Sequence, residues 1–215
     1  DYDYIAGLKS FQDGMYQIQD ISSMLAGEYT APKAGDTIVD VCGAPGGKSI
    51  NAALKMSEQG DCGRVIARDL SDYKVALIDE NIKRLNITNI QTQVYDALDC
   101  DESLINKADI VIADLPCSGL GIIGRKPDIK YNASPEKLQS LVDLQRDILK
   151  VVSRYVKSGG VLMYSTCTIN RAENEDNADW ICKESGFTKD GEYHQLLPAN
   201  NSGMDGFFVA RLIKS

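Results

Sequence analysis

Two stretches of the 215-residue chain place a thiol just after an apolar run: "ADIVIADLPCSGLG" (108–121) carries Cys117 and "GVLMYSTCT" (160–168) carries Cys167. A thiolate is a strong nucleophile even when a small fraction is ionised, and helix N-termini lower a thiol's pKa. A third stretch, "DVCGAPGGKS" (40–49), sets Gly43, Gly46 and Gly47 between an apolar run and a helical pattern. Glycine there lets the backbone pass close to a ligand beside the helix N-terminus. The spacing is neither G-x-G-x-x-G nor G-x-x-x-x-G-K-[ST], so the dinucleotide and P-loop readings weaken despite Gly47-Lys48-Ser49.

Three acids belong to the same pattern. Asp69 follows Gly47 by 22 residues, where an acid in nucleotide-binding folds accepts from ribose hydroxyls. Asp96 closes a further apolar run and is placed to reach an adenine amino group. Asp114 stands three residues before Cys117 in Asp-Leu-Pro-Cys. Amino-group methyltransferases carry Pro and then an aromatic ring at a similar strand end, where the ring stacks on the base. Cys117 in the ring's place points from stacking to covalent chemistry. Spacing alone treats Cys117 and Cys167 alike.

Elements that alternate along the chain must position these groups. Short β-branched runs at 37–42, 64–69, 90–96, 109–115 and 160–166 read as strands. Helical patterns lie between them. Ser134 is a natural N-cap with Pro135 behind it, and Leu138, Leu141, Val142, Ile148, Leu149, Val152 and Val156 form one stripe that Gly159 and Gly160 are expected to end. Ser71 caps a second helix carrying Val75, Ile78, Ile82 and Leu85. The expected fold is α/β, a mostly parallel Rossmann-like sheet with helices on both faces, and "GFFVARLIK" (206–214) adds an antiparallel edge pair. In such sheets ligands bind over the carboxyl ends of the strands at the switch point. If the fourth and fifth strands are neighbours, Cys117 and Cys167 face one another there.

Composition sets bounds. The balance of 43% apolar to 25% charged residues is that of a globular domain, and no apolar run reaches the roughly 20 residues of a membrane span. A soluble, cytoplasmic chain is expected, forming one domain over 1–215 with a segment of about 1–35 packed on it. The six cysteines form no CxxC pair, so metal is not expected, and Cys42, Cys62, Cys100 and Cys182 read as core or surface thiols. A formal net charge of −8 argues against strong nucleic-acid binding by this segment alone. The first residue is Asp, and the expectation is that an upstream RNA-binding domain lies outside the chain. His194, the one histidine, reads as structural, Phe207 and Phe208 as core, and Glu173 and Asn174 as caps of a helix after Cys167.

Taken in order, "QDISS" (19–23), "DVCGAPGGK" (40–48), "DLPCSG" (114–119), "RKPDIKY" (125–131), "STCTINRAENE" (165–175) and "DGFFVARL" (205–212) resemble the motifs of the RsmB/Sun family of S-adenosylmethionine-dependent RNA cytosine-5 methyltransferases. The chain departs from the usual residues at Gly43, Leu115, Gly124 and Thr168. The resemblance implies a Rossmann-like methyltransferase that uses no metal. Its cosubstrate cradle would run through Cys42, Gly43, Ala44, Pro45, Gly46, Gly47 and Lys48, with Asp69 on the ribose, Asp96 near the adenine and Asp114 beside the site. It also implies that Cys167 attacks C6 of the cytosine, that Asp114 serves as acid at the N3 edge, and that Cys117 acts in release. Lys126, Pro127 and Asp128 would touch the RNA substrate, expected to be small-subunit ribosomal RNA, and the protein would be a monomer. The competing expectations are an amino-group (N4/N6) nucleobase methyltransferase and a binding-only paralogue.

Overall fold

The computed structural model describes residues 4–60, 63–198 and 204–215, which leaves Cys62 outside the described residues. A short helix α1 (Lys9–Gln12) leads to α2 (Ile21–Thr30), then β1 (Thr37–Asp40), α3 (Gly47–Glu58), β2 (Arg64–Asp69), α4 (Asp72–Arg84) and β3 (Ile90–Val94). The second half runs β4 (Ala108–Asp114), α5 (Ile129–Asn132), α6 (Pro135–Val152), β5 (Val156–Thr166), α7 (Glu175–Ser185), β6 (Phe187–Lys189), β7 (His194–Leu196) and β8 (Phe207–Lys214).

One eight-stranded sheet has the order β3-β2-β1-β4-β5-β8-β6, with β7 also paired to β8. The five strands from β3 to β5 are parallel, and β8 runs antiparallel to β5, β6 and β7. The chain steps outward from β1 to β3 and returns to the other side of β1 as β4, so the switch point lies between Asp40 and Asp114.

Side chains alternate between the two faces of each strand, which splits the core in two. Val39, Val111, Leu162 and Phe208 pack with Leu149 of α6 and Ile181 of α7. Ile38, Ile112, Met163 and Phe207 pack on the opposite face with Ala26 of α2 and Met56 of α3. Both phenylalanines are core, and His194 stacks on Tyr29 with ring centroids 4.1 Å apart. Ser134 and Ser71 accept hydrogen bonds from the Lys137 and Lys74 amides, as N-caps do.

A cation on α4 helps tie down the leading segment. Arg84 of α4 donates to the Phe11 and Tyr16 carbonyls at 3.1 and 2.9 Å and lies 3.9 Å from the Phe11 ring centroid.

Several boundaries shift from expectation, most of all at the end of α6. Helix α6 stops at Val152, and Val156 opens β5 opposite Ala108. The amides of Lys107 and Ala108 donate to the Tyr155 carbonyl, so the chain has already left the helix there. Gly159, at φ +74°, and Gly160 lie where the β4–β5 register shifts rather than at a helix stop. A β-branched residue such as Val156 satisfies a helical stripe and a strand equally, and pairing with β4 decides between them.

Candidate active site

Strands β4 and β5 pair with Asp114 opposite Ser165, so the loops leaving them run side by side. Cys117 Sγ lies 3.2 Å from Cys167 Sγ. Ser118 Oγ and Thr168 Oγ1, 2.7 Å apart, and the Gly121 N–H, donating to the Cys167 carbonyl at 3.1 Å, also join the loops, and Gly206 N–H, just before β8, donates to the Gly121 carbonyl at 2.8 Å. The hydrogen bond with Cys167, and then burial, push the Cys117 thiol above its ordinary value. The same bond holds Cys167 below its own, with Lys48 adding to the effect and burial opposing it. Of the two thiols, the surroundings thus favour ionisation of Cys167 over Cys117.

Asp114 anchors the other wall. Its Oδ2 lies 2.6 Å from Lys48 Nζ, and its Oδ1 accepts from Ser165 Oγ at 2.8 Å. Lys48 Nζ also donates to Ser23 Oγ at 3.3 Å and lies 5.2 Å from the Phe207 ring centroid. Ser23 arrives on α2, which Asp20 caps by accepting from the Ser22 amide at 2.9 Å. Arg125 pairs with both Asp20 and Asp205, binding that helix to the loop before β8.

The glycine loop turns from β1 into α3 with Gly46 at φ +105°, a conformation that L side chains rarely adopt. Asp69, at the end of β2, accepts from the Ala44 amide at 3.0 Å and the Leu70 amide at 2.8 Å, and pairs with Lys74 at 2.9 Å. Two cavities meet at Cys42. One of about 280 Å³ reaches through Asp40, Gly43, Lys48 and Asp114 to Gln19 and Ser23. The other, of about 140 Å³, passes Asp69, Tyr95, Asp96 and Leu98 to Pro116. Burial pushes the Cys42 thiol well above its ordinary value.

The structure thus gathers Cys117, Cys167, Asp114, Lys48, the glycine loop, Asp69 and Asp96 around one crevice. Asp96 lies two residues beyond the end of β3 and accepts from the Leu98 amide at 2.9 Å. Lys126, Pro127 and Asp128 stand apart on an exposed loop. The next residue, Ile129, lines a third cavity of about 220 Å³ with Cys117, Ser118, Lys137, Leu138 and Leu141. Among the described residues no cluster of His, Cys, Asp and Glu could hold a metal ion, and no helix is long and apolar enough to cross a membrane.

Two features escape the sequence pattern. Asp40, 1% exposed, accepts from Ser49 Oγ at 2.6 Å through Oδ2, while its buried Oδ1 meets no well-formed hydrogen-bond donor among the described residues. Burial raises its carboxyl to about 6, opposed by the Ser49 hydrogen bond and Lys48. Asn174 stands at the N-cap position of α7, as expected, but makes no side-chain cap bond to it, and both Glu173 and Asn174 are fully buried. Asn174 Nδ2 donates to the Thr168 carbonyl at 3.0 Å, and Glu173 Oε2 accepts from the Ser118 amide at 2.8 Å. An acid near a helix start fits a cap by spacing, but cross-chain donors claim it here.

The model of the 16S rRNA methyltransferase RsmB/F family matches residues 28–213. The chain belongs to that family. Its curated relatives in the RsmB/F group include a probable ribosomal RNA small subunit methyltransferase B from Bacillus subtilis, 38% identical over 98% of this chain and 50% of the relative. A protein of the same description from Synechocystis is 34% identical over 98% of this chain and 50% of the relative. The chain spans about half the length of the curated relatives it matches. Among solved structures, NSun6 from Pyrococcus horikoshii with SFG has a TM-score of 0.85 at 28% identity, over 97% of this chain and 56% of that one. TYW2 from M. jannaschii, in complex with AdoMet, shares the fold at a TM-score of 0.57 and 16% identity, over 94% of this chain and 80% of that one.

Proposed function

We propose that the chain is the catalytic part of an enzyme that moves a methyl group from S-adenosylmethionine to C5 of a cytosine in small-subunit ribosomal RNA. The observation that carries this reading is the contact of Cys117 with Cys167 at 3.2 Å, in a crevice bounded by the Lys48–Asp114 pair and the glycine loop. Membership of the RsmB/F family supports the substrate class.

The residues present fit S-adenosylmethionine. The Oδ1 of Asp40 is a buried acceptor suited to an amino-acid ammonium, and Asp69 and Asp96 line the cavity that continues past Cys42, suited to a ribose and an adenine. The close backbone approach that the loop Cys42 to Lys48 allows completes the cradle. The cosubstrate supplies an electrophilic methyl group when bound.

Cytosine C5 is a poor nucleophile, and covalent attack corrects this. The Cys167 thiolate adds to C6, the C5=C6 electron pair moves toward the N3 edge, and N3 takes up a proton. With Asp114 at that edge and both its oxygens accepting hydrogen bonds, the Lys48 ammonium is the source of the proton, which would pass by way of the Asp114 carboxyl to N3. The resulting enamine would form a bond from C5 to the methyl carbon as the S–CH3 bond breaks, its electron pair staying on the sulfur of the departing S-adenosylhomocysteine. Loss of the C5 proton then re-forms C5=C6 and expels the Cys167 thiolate. Once Cys167 is bonded to carbon its sulfur carries no charge, and its bond to the Cys117 thiol loses charge assistance. The Cys117 thiol then gives up its proton to water in the open crevice, and the thiolate so formed, or a water beside it, takes the C5 proton. Lys126, Pro127 and Asp128 lie next to the cavity that has Cys117 in its wall, where the flanking RNA would pass. The target base leaves its stack to enter, at a cost of a few kcal/mol.

The test separates the thiols with labelled target RNA and S-adenosylmethionine on a denaturing gel. Cys167→Ala should form no protein–RNA adduct, and Cys117→Ala should methylate and then stall as an adduct. The reverse pattern exchanges the roles. No adduct with either variant, in folded protein with competent RNA, overturns covalent catalysis.

A further inference from the structure

The chemistry above leaves unused the most deeply buried acid beside it. Glu173 is fully buried, and among the described residues its carboxylate meets neutral donors from three segments. Oε2 accepts from the Ser118 amide at 2.8 Å and from Gln145 Nε2 at 3.0 Å, and Oε1 accepts from Asn170 Nδ2 at 2.9 Å. Ser118 follows Cys117, Asn170 lies three residues beyond Cys167, and Gln145 belongs to α6.

Gln145 Nε2 also donates to the Pro116 carbonyl at 2.9 Å, so Cys117 is gripped on both flanks. Behind Gln145 the chain of bonds continues: Asn177 Nδ2 donates to Gln145 Oε1 at 2.8 Å, and Arg146 Nε donates to Asn177 Oδ1 at 2.8 Å. Gln145 and Asn177 are fully buried as well. A buried carboxylate surrounded by neutral donors is costly unless every donor is in place. It is therefore a precise spacer, because a shift of either loop strands a donor or an oxygen.

We propose that Glu173 is a positioning residue whose carboxylate pins the Cys117 loop onto the Cys167 loop and keeps the two sulfurs in the contact that release of the methylated base requires. The release role rests on the function proposed above, whereas the positioning does not. Glu173→Gln keeps the size, yet whichever way its amide turns, the NH2 faces Asn170 or else Ser118 and Gln145, donor against donor.

The first measurement needs neither RNA nor cosubstrate. Diamide joins two neighbouring thiols into a disulfide, taking up their two protons and two electrons as its N=N bond becomes a hydrazine. The rate of Cys117–Cys167 crosslinking, followed by peptide mass spectrometry, thus reports the sulfur contact. Glu173→Gln should crosslink about tenfold more slowly than the parent protein, since displacement of about 1 Å is costly for a reacting pair. The second measurement is the denaturing gel, on which Glu173→Gln should accumulate the RNA adduct as Cys117→Ala does. Gln145→Met, which removes the grip on Pro116 and one donor to Glu173, should slow crosslinking in the same direction and serves if Glu173→Gln does not fold. Crosslinking within twofold of the parent in a folded variant overturns the proposal, whatever the gel shows. Parent protein that forms no adduct and no methylated base counts against the reaction itself, leaving the crosslinking rate to judge Glu173.

Discussion

Lys48 Nζ lies 2.6 Å from Asp114 Oδ2, and the other oxygen of that carboxylate accepts from Ser165. Lys48 stands in the first turn of α3, Asp114 ends β4 and Ser165 lies in β5. A glycine loop and the strands that lead into both thiol loops therefore converge on one carboxylate, so the Lys48–Asp114 ion pair couples the glycine loop to the thiols. The side chain of Lys48 is 10% exposed and that of Asp114 28% exposed. Both still meet solvent, and the pair is open to the crevice.

Lys48→Met keeps the length and removes the charge. We expect kcat for methyl transfer to fall about 100-fold, the scale of a lost proton-transfer group. Loss of the charge-assisted bond should also lower stability by about 2 kcal/mol. Single-turnover methylation and thermal melts check the two effects separately. A variant that methylates at the parent rate would remove the pair from the chemistry.

Asp40 gives a pH dependence with a defined sign. Its carboxyl titrates at about 6 in the fold against 3.8 ordinarily, because burial disfavours the charge. The unfolded chain binds fewer protons between those values, so the stability of the unliganded protein falls as pH rises from about 4 through about 6. Asp40→Asn should therefore stabilise the unliganded protein at pH 8, by about 2 kcal/mol. An ammonium bound at Oδ1 reverses the advantage, since it needs the ionised carboxylate. S-adenosylmethionine affinity should thus tighten as pH rises from 5 to 7 in the parent and stay nearly flat in Asp40→Asn. Calorimetric titrations at three pH values read this, and a flat parent profile would take Asp40 out of the site.

Much of the crevice was legible because strand exits obey a positional rule. Cys117 and Cys167 each follow a β-branched run, and the pairing of β4 with β5 brings them together as neighbouring exits. Asp69 was legible through its distance from the glycine loop. Glu173 was not, because its partners lie 55 and 28 residues away and an acid before a helix looks like a cap. Asp40 lies inside a quoted motif, but only packing reveals that one oxygen meets no well-formed donor among the described residues. Strands β6 and β7 are three residues each, too short for an alternating pattern, and they turn the expected edge pair into a three-strand antiparallel cluster around β8.

Gly121 sets how closely the two thiol loops approach. A Cβ there would stand 2.2 Å from the Gly206 carbonyl oxygen and 2.8 Å from that of Cys167. Both neighbours are backbone, so no side chain can swing aside. Gly121→Ala must push the Cys167 loop and the start of β8 away from the Cys117 loop, breaking the Gly121–Cys167 and Gly206–Gly121 hydrogen bonds. We expect a stability loss of about 1–3 kcal/mol, the usual cost of overpacking. A fall of about tenfold in the single-turnover methylation rate should accompany it as the sulfurs separate. Gly124→Ala is the control, since a Cβ there meets nothing within 4 Å, and it should leave both quantities near the parent values. Parallel melts and single-turnover assays of the two variants decide the matter. If Gly121→Ala melts and reacts like Gly124→Ala, the backbone contact at Gly121 does not set the spacing of the thiols.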